Sequence, residues 1–167
     1  MEIRRYGEVQ HRMEASPTAV YELISDVTRT GEWSPECRRC RWVDGAEEAR
    51  PGARFRGWNR SGLMRWSRLV EVSTAVPGRQ LAFRTLPDRL NRDSTTWRYR
   101  IEPDGDGGAL VTESYEIHRL PGFPVNILFR LFLRHHADMR PHMAQTLERI
   151  AALAEAGSAN TPQHQPG

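Results

Sequence analysis

The chain contains no lysine: all 24 of its Lys/Arg positions are arginine. That uniformity is the mark of codon bias in a GC-rich genome rather than of a surface selected for binding. The arginines are interleaved with 21 acidic residues and leave a net charge of only +3. A nucleic-acid partner wants a stripe of uncompensated positive charge, so none is expected despite a pI of 9.3. Long apolar runs are missing too. Nothing approaches the ~18 consecutive apolar residues of a membrane span, and no integral membrane association is expected. The opening MEIRRYGEVQ has arginines with no apolar segment behind them, which argues against a secretory signal. Cysteine is scarce, Cys37 and Cys40 alone, so no disulfide framework is expected and the cytoplasm is the expected compartment.

What is present suits a single globular domain: 167 residues, 38% hydrophobic and 27% charged, enough to bury a core without staples. Residues 3–13 read as an exposed first strand. Ser16-Pro17 then starts a short helix, with a hydroxyl for an orphan amide and a proline suited to the first helical position. A second short helix runs from about Asp26, its cap, to Trp33. From there the apolar period drops to two, predicting strands near 38–44, 53–60, 64–75, 79–86, 93–102 and 109–118. Arg50-Pro51-Gly52, Val76-Pro77-Gly78 and the Asp104–Gly108 run supply turn chemistry between them, which favours antiparallel neighbours in sequence order. From about Asn126 to Ala156 the period is helical, predicting a helix of about 30 residues and about 45 Å that Pro141 kinks or divides. Gly157 is expected to stop it, leaving 1–156 as the domain and 157–167 as a disordered polar tail.

The strands alternate well enough to assign faces. Thr95, Trp97, Tyr99 and Ile101 oppose Thr96, Arg98, Arg100 and Glu102. Leu81, Phe83 and Thr85 oppose Ala82 and Arg84, and Phe55 and Gly57 oppose Arg54, Arg56 and Trp58. Trp66, Val70 and Val72 share a face that Arg68 intrudes upon. One side of the sheet is therefore aromatic and the other rich in arginine. On the helix, Phe129, Phe132, His136, Met139, Met143, Leu147, Ile150 and Ala154 fall within about ±40° of one direction. The expectation is a curved antiparallel sheet of about seven strands around a long C-terminal helix, an α+β fold whose gap side chains alone do not fill.

Several segments resemble those of a known superfamily. Ala15-Ser16-Pro17-Thr18-Ala19-Val20-Tyr21-Glu22-Leu23-Ile24-Ser25-Asp26-Val27 is similar to its opening helix. Gly31-Glu32-Trp33-Ser34-Pro35-Glu36 is similar to the segment in which a Trp ends the second helix. Pro77-Gly78-Arg79-Gln80-Leu81-Ala82-Phe83 resembles an internal hairpin. Thr95–Pro103 followed by Val111-Thr112-Glu113-Ser114-Tyr115-Glu116 resembles the last one. On these matches, spanning about 3–155, the chain resembles the START/Bet v 1-like (SRPBCC) superfamily of polyketide cyclase/dehydrase type. The resemblance implies a helix-grip fold and a cavity for an apolar small-molecule ligand. It implies no particular reaction, since members include carriers, receptors and cyclases.

The expected cavity-lining residues are Trp33; Phe55, Trp66, Arg68, Phe83, Trp97, Tyr99, Glu113 and Tyr115 from the sheet; and Phe132, His136, Met139 and Met143 from the helix. Glu113 shares a face with Val111 and Tyr115, and an inward carboxylate needs a partner, for which Arg68 is the candidate. His136 has two readings, a satisfied core histidine or a polar anchor and proton-transfer group. Cys37 and Cys40 have CxxC spacing but no second pair for a zinc site, and they lead into a strand rather than a helix N-terminus. His135, Asp138 and His142 share a helix side with Gln145 and Arg149, so that side reads as solvated. No metal and no cofactor are expected. Two functions follow: a non-catalytic binder or carrier of a lipid-, isoprenoid- or polyketide-like molecule, or an aromatase/cyclase in which His136, Tyr99 or Arg68 moves protons or polarises a carbonyl.

Overall fold

Ser16 opens helix α1 (Pro17–Ser25) by accepting a hydrogen bond from the Ala19 amide on its Oγ (3.2 Å), and Pro17 stands where its missing N–H costs nothing. Asp26 caps the next segment in the same way, its carboxylate accepting from the Thr28 amide (3.1 Å). That segment, Val27–Glu32, is a 3₁₀ turn rather than an α-helix. The computed structural model describes residues 3–89, 91–123, 127, 131 and 133–159. Around the short helices it places seven strands: β1 (Tyr6–Met13), β2 (Cys37–Val43), β3 (Arg54–Ser61), β4 (Met64–Val76), β5 (Gln80–Thr85), β6 (Ser94–Asp104) and β7 (Gly108–Arg119).

The strands form one sheet in the order β1-β7-β6-β5-β4-β3-β2, every pair antiparallel. From β2 to β7 the neighbours follow chain order, as short turns demand, and Gly52 (φ +85°) and Gly78 (φ +69°) supply the left-handed backbone two of those turns need. β1 closes the other edge by pairing with β7, Val9 opposite Glu113. The register shifts between Cys37 and Arg39, between Val72 and Thr74, and between Ser94 and Thr95. Each such irregularity bends its strand and adds twist, which gives the sheet a concave face. Burial follows the expected alternation. On β6, Thr95, Tyr99 and Ile101 are buried while Arg98, Arg100 and Glu102 are exposed.

The C-terminal helix starts afresh at Pro141, the dividing outcome of the two expected there, and is shorter than the about 30 residues read from periodicity. It is α2, Arg140–Ala159, 20 residues and so about 30 Å long. Ahead of it stands a separate 3₁₀ turn, Arg134–Ala137, followed by Asp138 in extended conformation. Pro141 has no N–H to donate and its ring would strike the carbonyl one turn earlier, so a helix starts at it rather than passing through it. Phe129 and Phe132 lie outside the described residues. Within α2 the stripe is as expected: Met143, Leu147, Ile150 and Ala154 are buried, with Ala151 beside them, against β1 and α1. Gly157 does not end the helix. One glycine near a terminus costs only about 1 kcal/mol, and Ser158 Oγ donates to the Ala154 carbonyl (2.9 Å) within the same turn.

Candidate functional site

The concave face of the sheet and the segment 133–146 leave a cavity of about 250 Å³ between them. Its walls are mainly apolar and carry six Phe, Trp and Tyr rings. Phe55, Trp66, Phe83, Trp97 and Tyr99 line it from the sheet, Trp33 from the end of the first 3₁₀ turn, Met139 from just ahead of α2, and Met143 from the first turn of that helix. The rings of Phe55 and Phe83 meet edge to face at 5.6 Å, and Phe83 and Tyr99 stand 6.3 Å apart. Arg68, Glu113 and His136 are its charged or titratable lining among the residues expected there. Tyr115 does not line it. Its ring lies so close over β1 that a Cβ on Gly7 would come within 2.5 Å of it, and its hydroxyl donates to the Arg4 carbonyl (3.1 Å). Phe132 lies outside the described residues.

Glu113 is 3% exposed. Tyr99, directly opposite on β6, donates its hydroxyl to Glu113 Oε1 (2.8 Å). Oε2 has no hydrogen-bond partner among the described residues. Burial raises the Glu113 carboxyl to about 8, opposed only in part by the Tyr99 hydrogen bond. At neutral pH the group is therefore a neutral carboxylic acid. With Oε1 receiving the tyrosine proton, its own proton is a donor available to whatever fills the cavity.

Arg68 is not the partner of Glu113. β5 and β6 lie between β4 and β7, so three strand spacings, about 14 Å, separate the two backbones. Arg68 instead turns to the β5–β6 loop. It pairs with Asp93 (2.8 Å) and donates to the carbonyls of Leu86 (3.2 Å), Asn91 (3.3 Å) and Asp93 (2.9 Å). Burial raises the Asp93 carboxyl and the Arg68 guanidinium opposes it. An arginine on an apolar face thus pins the loop that rims the cavity.

Cys37 and Cys40 both line the cavity, their sulfurs 3.4 Å apart. Residues i and i+3 of a regular strand face opposite ways. The register shift between Cys37 and Arg39 puts both thiols on the concave side while Arg38 and Arg39 point out. Opposite Cys40 stands Gly57, where an added Cβ would already touch both sulfurs at 3.4 and 3.6 Å.

At the mouth of the cavity, His135, Asp138 and His142 do not share the solvated helix side that a 100° wheel implies, because His135 belongs to the 3₁₀ turn and Asp138 follows it in extended conformation. His135 Nε2 and His136 Nε2 both reach the Glu36 carboxylate, at 2.5 and 3.0 Å. His142 packs its ring on that of His135, centroids 4.5 Å apart. Burial works to raise the Glu36 carboxyl, but the two histidines outweigh it and the group ends below its ordinary range. Burial lowers His142. Asp138 turns away to Arg140 (2.6 Å), whose guanidinium brings its carboxyl down to about 2. Glu36, Asn91 and Asp93 escaped the sequence reading because they sit in loops, where no periodicity assigns a face.

The family described as polyketide cyclase/dehydrase and lipid transport matches residues 7–155. No curated protein matches the chain. Among solved structures, TTHA0849 from Thermus thermophilus is 19% identical with a TM-score of 0.70, over 92% of this chain and 99% of that one. The Polyketide_cyc-like protein Cgl2372 from Corynebacterium glutamicum is 28% identical with a TM-score of 0.60, over 99% and 100%. The ZhuI aromatase/cyclase from Streptomyces sp. R1128 is 15% identical with a TM-score of 0.70, over 90% and 93%. The last two structural neighbours differ in what their names assert, while sharing the same helix-grip architecture.

Proposed function

Because the chain belongs to the polyketide cyclase/dehydrase and lipid transport family, we propose that it binds a small, largely apolar molecule bearing one hydrogen-bond acceptor, held in the cavity by Glu113. The observation that carries this reading is the buried Tyr99–Glu113 pair: a neutral carboxylic acid with one oxygen satisfied and the other not. A buried polar atom left without a partner costs about 1–3 kcal/mol, and a ligand carbonyl or ether oxygen recovers that. The aromatic walls supply the rest through apolar burial. A volume of about 250 Å³ favours a compact occupant over a long acyl chain.

Trp33, Trp66 and Trp97 line the cavity, so occupancy is read from their fluorescence. An acetyl-substituted naphthalene and the nearly isosteric ethyl-substituted one differ only in the acceptor. The ketone is expected to bind roughly tenfold tighter, about 1.4 kcal/mol, and Glu113→Leu to abolish the difference. Equal affinity for the two in the wild-type chain sinks the assignment to Glu113. Failure of either to bind sinks the ligand reading for molecules of this class.

A second reading, aldol cyclisation of a short poly-β-keto chain followed by loss of water, is favoured by the same acid. Glu113 can give a proton to a carbonyl oxygen, and His136 lines the same cavity. Arg68 is removed from that role by its engagement with Asp93 and the loop carbonyls. The check is mass spectrometry of a β-triketone thioester mimic incubated with the chain. Dehydrated ring product that Glu113→Leu eliminates supports this reading, and unchanged substrate rejects it.

A further inference from the structure

We infer that Glu36, His135 and His136 form a binding site for one divalent transition-metal ion of the zinc class, at the mouth of the cavity. Three independent features converge there. The first is the donor set, two imidazole nitrogens and one carboxylate, which suits borderline ions and not calcium or magnesium. The second is distance. One donor atom from each residue lies within 4.8 Å of the others, and a tetrahedral ion with bonds near 2.1 Å holds its ligands about 3.4 Å apart. The present spacings from Glu36 Oε1, 2.5 Å to His135 Nε2 and 3.1 Å to His136 Nε2, need to open by less than about 1 Å to meet that geometry.

The third is preorganisation. Glu36 is tied to β3 where its carbonyl accepts from the Arg60 amide (2.9 Å). The 3₁₀ turn that carries both histidines is closed by His136 N–H to the Leu133 carbonyl (2.9 Å) and Asp138 N–H to the His135 carbonyl (3.2 Å). The ring of His142 lies against His135, and that of Trp66 stands edge-on to His136 at 6.0 Å. The three ligands come from chain positions 99 and 100 residues apart, yet each is fixed by its own backbone.

Three protein ligands leave a fourth position, the pattern of sites that bind an exchangeable water or ligand oxygen rather than of closed structural sites. Glu36 and His136 both line the cavity, so that position is accessible from it. The site stands on different residues from the Tyr99–Glu113 pair, and its success or failure is read separately from theirs.

The competing arrangement is a metal-free latch, in which both imidazoles donate to the carboxylate and nothing else binds. The test uses the full chain, stripped with EDTA and titrated with Co(II), followed by visible d–d absorption, and with Zn(II), followed by calorimetry. One equivalent of each ion is expected. Zinc affinity should fall at least tenfold in His135→Ala and in His136→Ala, and should be unchanged in a Cys37→Ser/Cys40→Ser double variant. Glu36→Gln keeps the size of the side chain and removes its charge, so it carries the test should either alanine variant lose its fold. It too should bind zinc at least tenfold more weakly while its circular dichroism matches the wild type. Absence of saturable binding to the wild-type chain establishes the latch and overturns the proposal. Binding that the cysteine double variant loses, or that the histidine variants retain, overturns it as well.

Discussion

Glu113 shows how one residue's surroundings decide its chemistry. In the unfolded chain its carboxyl ionises near 4.5, and in the folded protein near 8. Between those values the folded state holds a proton that the unfolded state has lost, so raising the pH favours unfolding throughout that window. Stability contributed by this group is complete below about pH 4.5 and is lost as pH rises through about 8. Glu113→Gln removes the titration and keeps a neutral group of the same shape. Urea unfolding at a series of pH values should find the variant's stability flatter across this window, with a gain over the wild type of a few kcal/mol at about pH 9. Wild-type and variant curves that run parallel would mean the carboxyl is already ionised when folded. The same titration bears on binding, because the acid donates only while protonated, so preference for an acceptor-bearing ligand should fade above about pH 8.

At the level of elements, the rim of the cavity depends on contacts from strand to loop. Arg68 on β4 is 6% exposed and holds the β5–β6 loop through three carbonyls and Asp93. Arg68→Met keeps the aliphatic stem and removes every one of those donors, leaving the mostly buried Asp93 without its counter-charge. A loss of about 3–5 kcal/mol is expected, together with faster amide exchange over 86–93 and no change in the β1–β7 ladder. Exchange that accelerates uniformly over the sheet would assign Arg68 to the core instead of the loop. The first 3₁₀ turn is placed with equal tightness. A Cβ on Gly31 would lie 2.5 Å from the Arg38 carbonyl oxygen, so only glycine lets that turn approach β2 and carry Trp33 and Glu36 to the cavity mouth.

For the whole molecule, the question is which buried side chains hold the fold and which shape the cavity. Leu147 is fully buried on α2 and does not line the cavity, whereas Met143, one turn earlier, does both. Leu147→Ala should cost about 2–5 kcal/mol and leave the affinity for a naphthalene ligand unaltered. Met143→Ala should also destabilise, and in addition change that affinity by enlarging the site. Denaturant unfolding and tryptophan fluorescence on the same two variants separate the roles, and matching effects on binding would show that helix and cavity are not distinct. β1 pairs with β7 and packs under α2, so the first strand and the last helix share one core. Unfolding is expected in one cooperative transition.

Local patterns alone determined much of this protein. The caps at Ser16 and Asp26, the seven strands and their turns, the aromatic face of the sheet and the buried stripe 143–154 all follow from periods of two and 3.6 and from turn and cap chemistry, which act over a few residues. The inward set of β6 was legible for that reason. Tertiary structure decided the rest. The break at Pro141 was legible, but not the 3₁₀ turn and the extended Asp138 ahead of it, so the wheel placed His135 on the exposed helix side of Gln145 and Arg149, from which the turn removes it. A bulge at Arg38 turned Cys37 and Cys40 to the same face, and a one-residue irregularity leaves no mark in an alternating pattern. Arg68 and Glu113 were each recognisable as inward charges, but their partners were set by which strands lie between them. Glu36 met its histidines only because a loop and a turn about a hundred residues apart fold to the same rim. Pairing over such distances is fixed by the closure of the sheet around its helix, and no short stretch of sequence contains it.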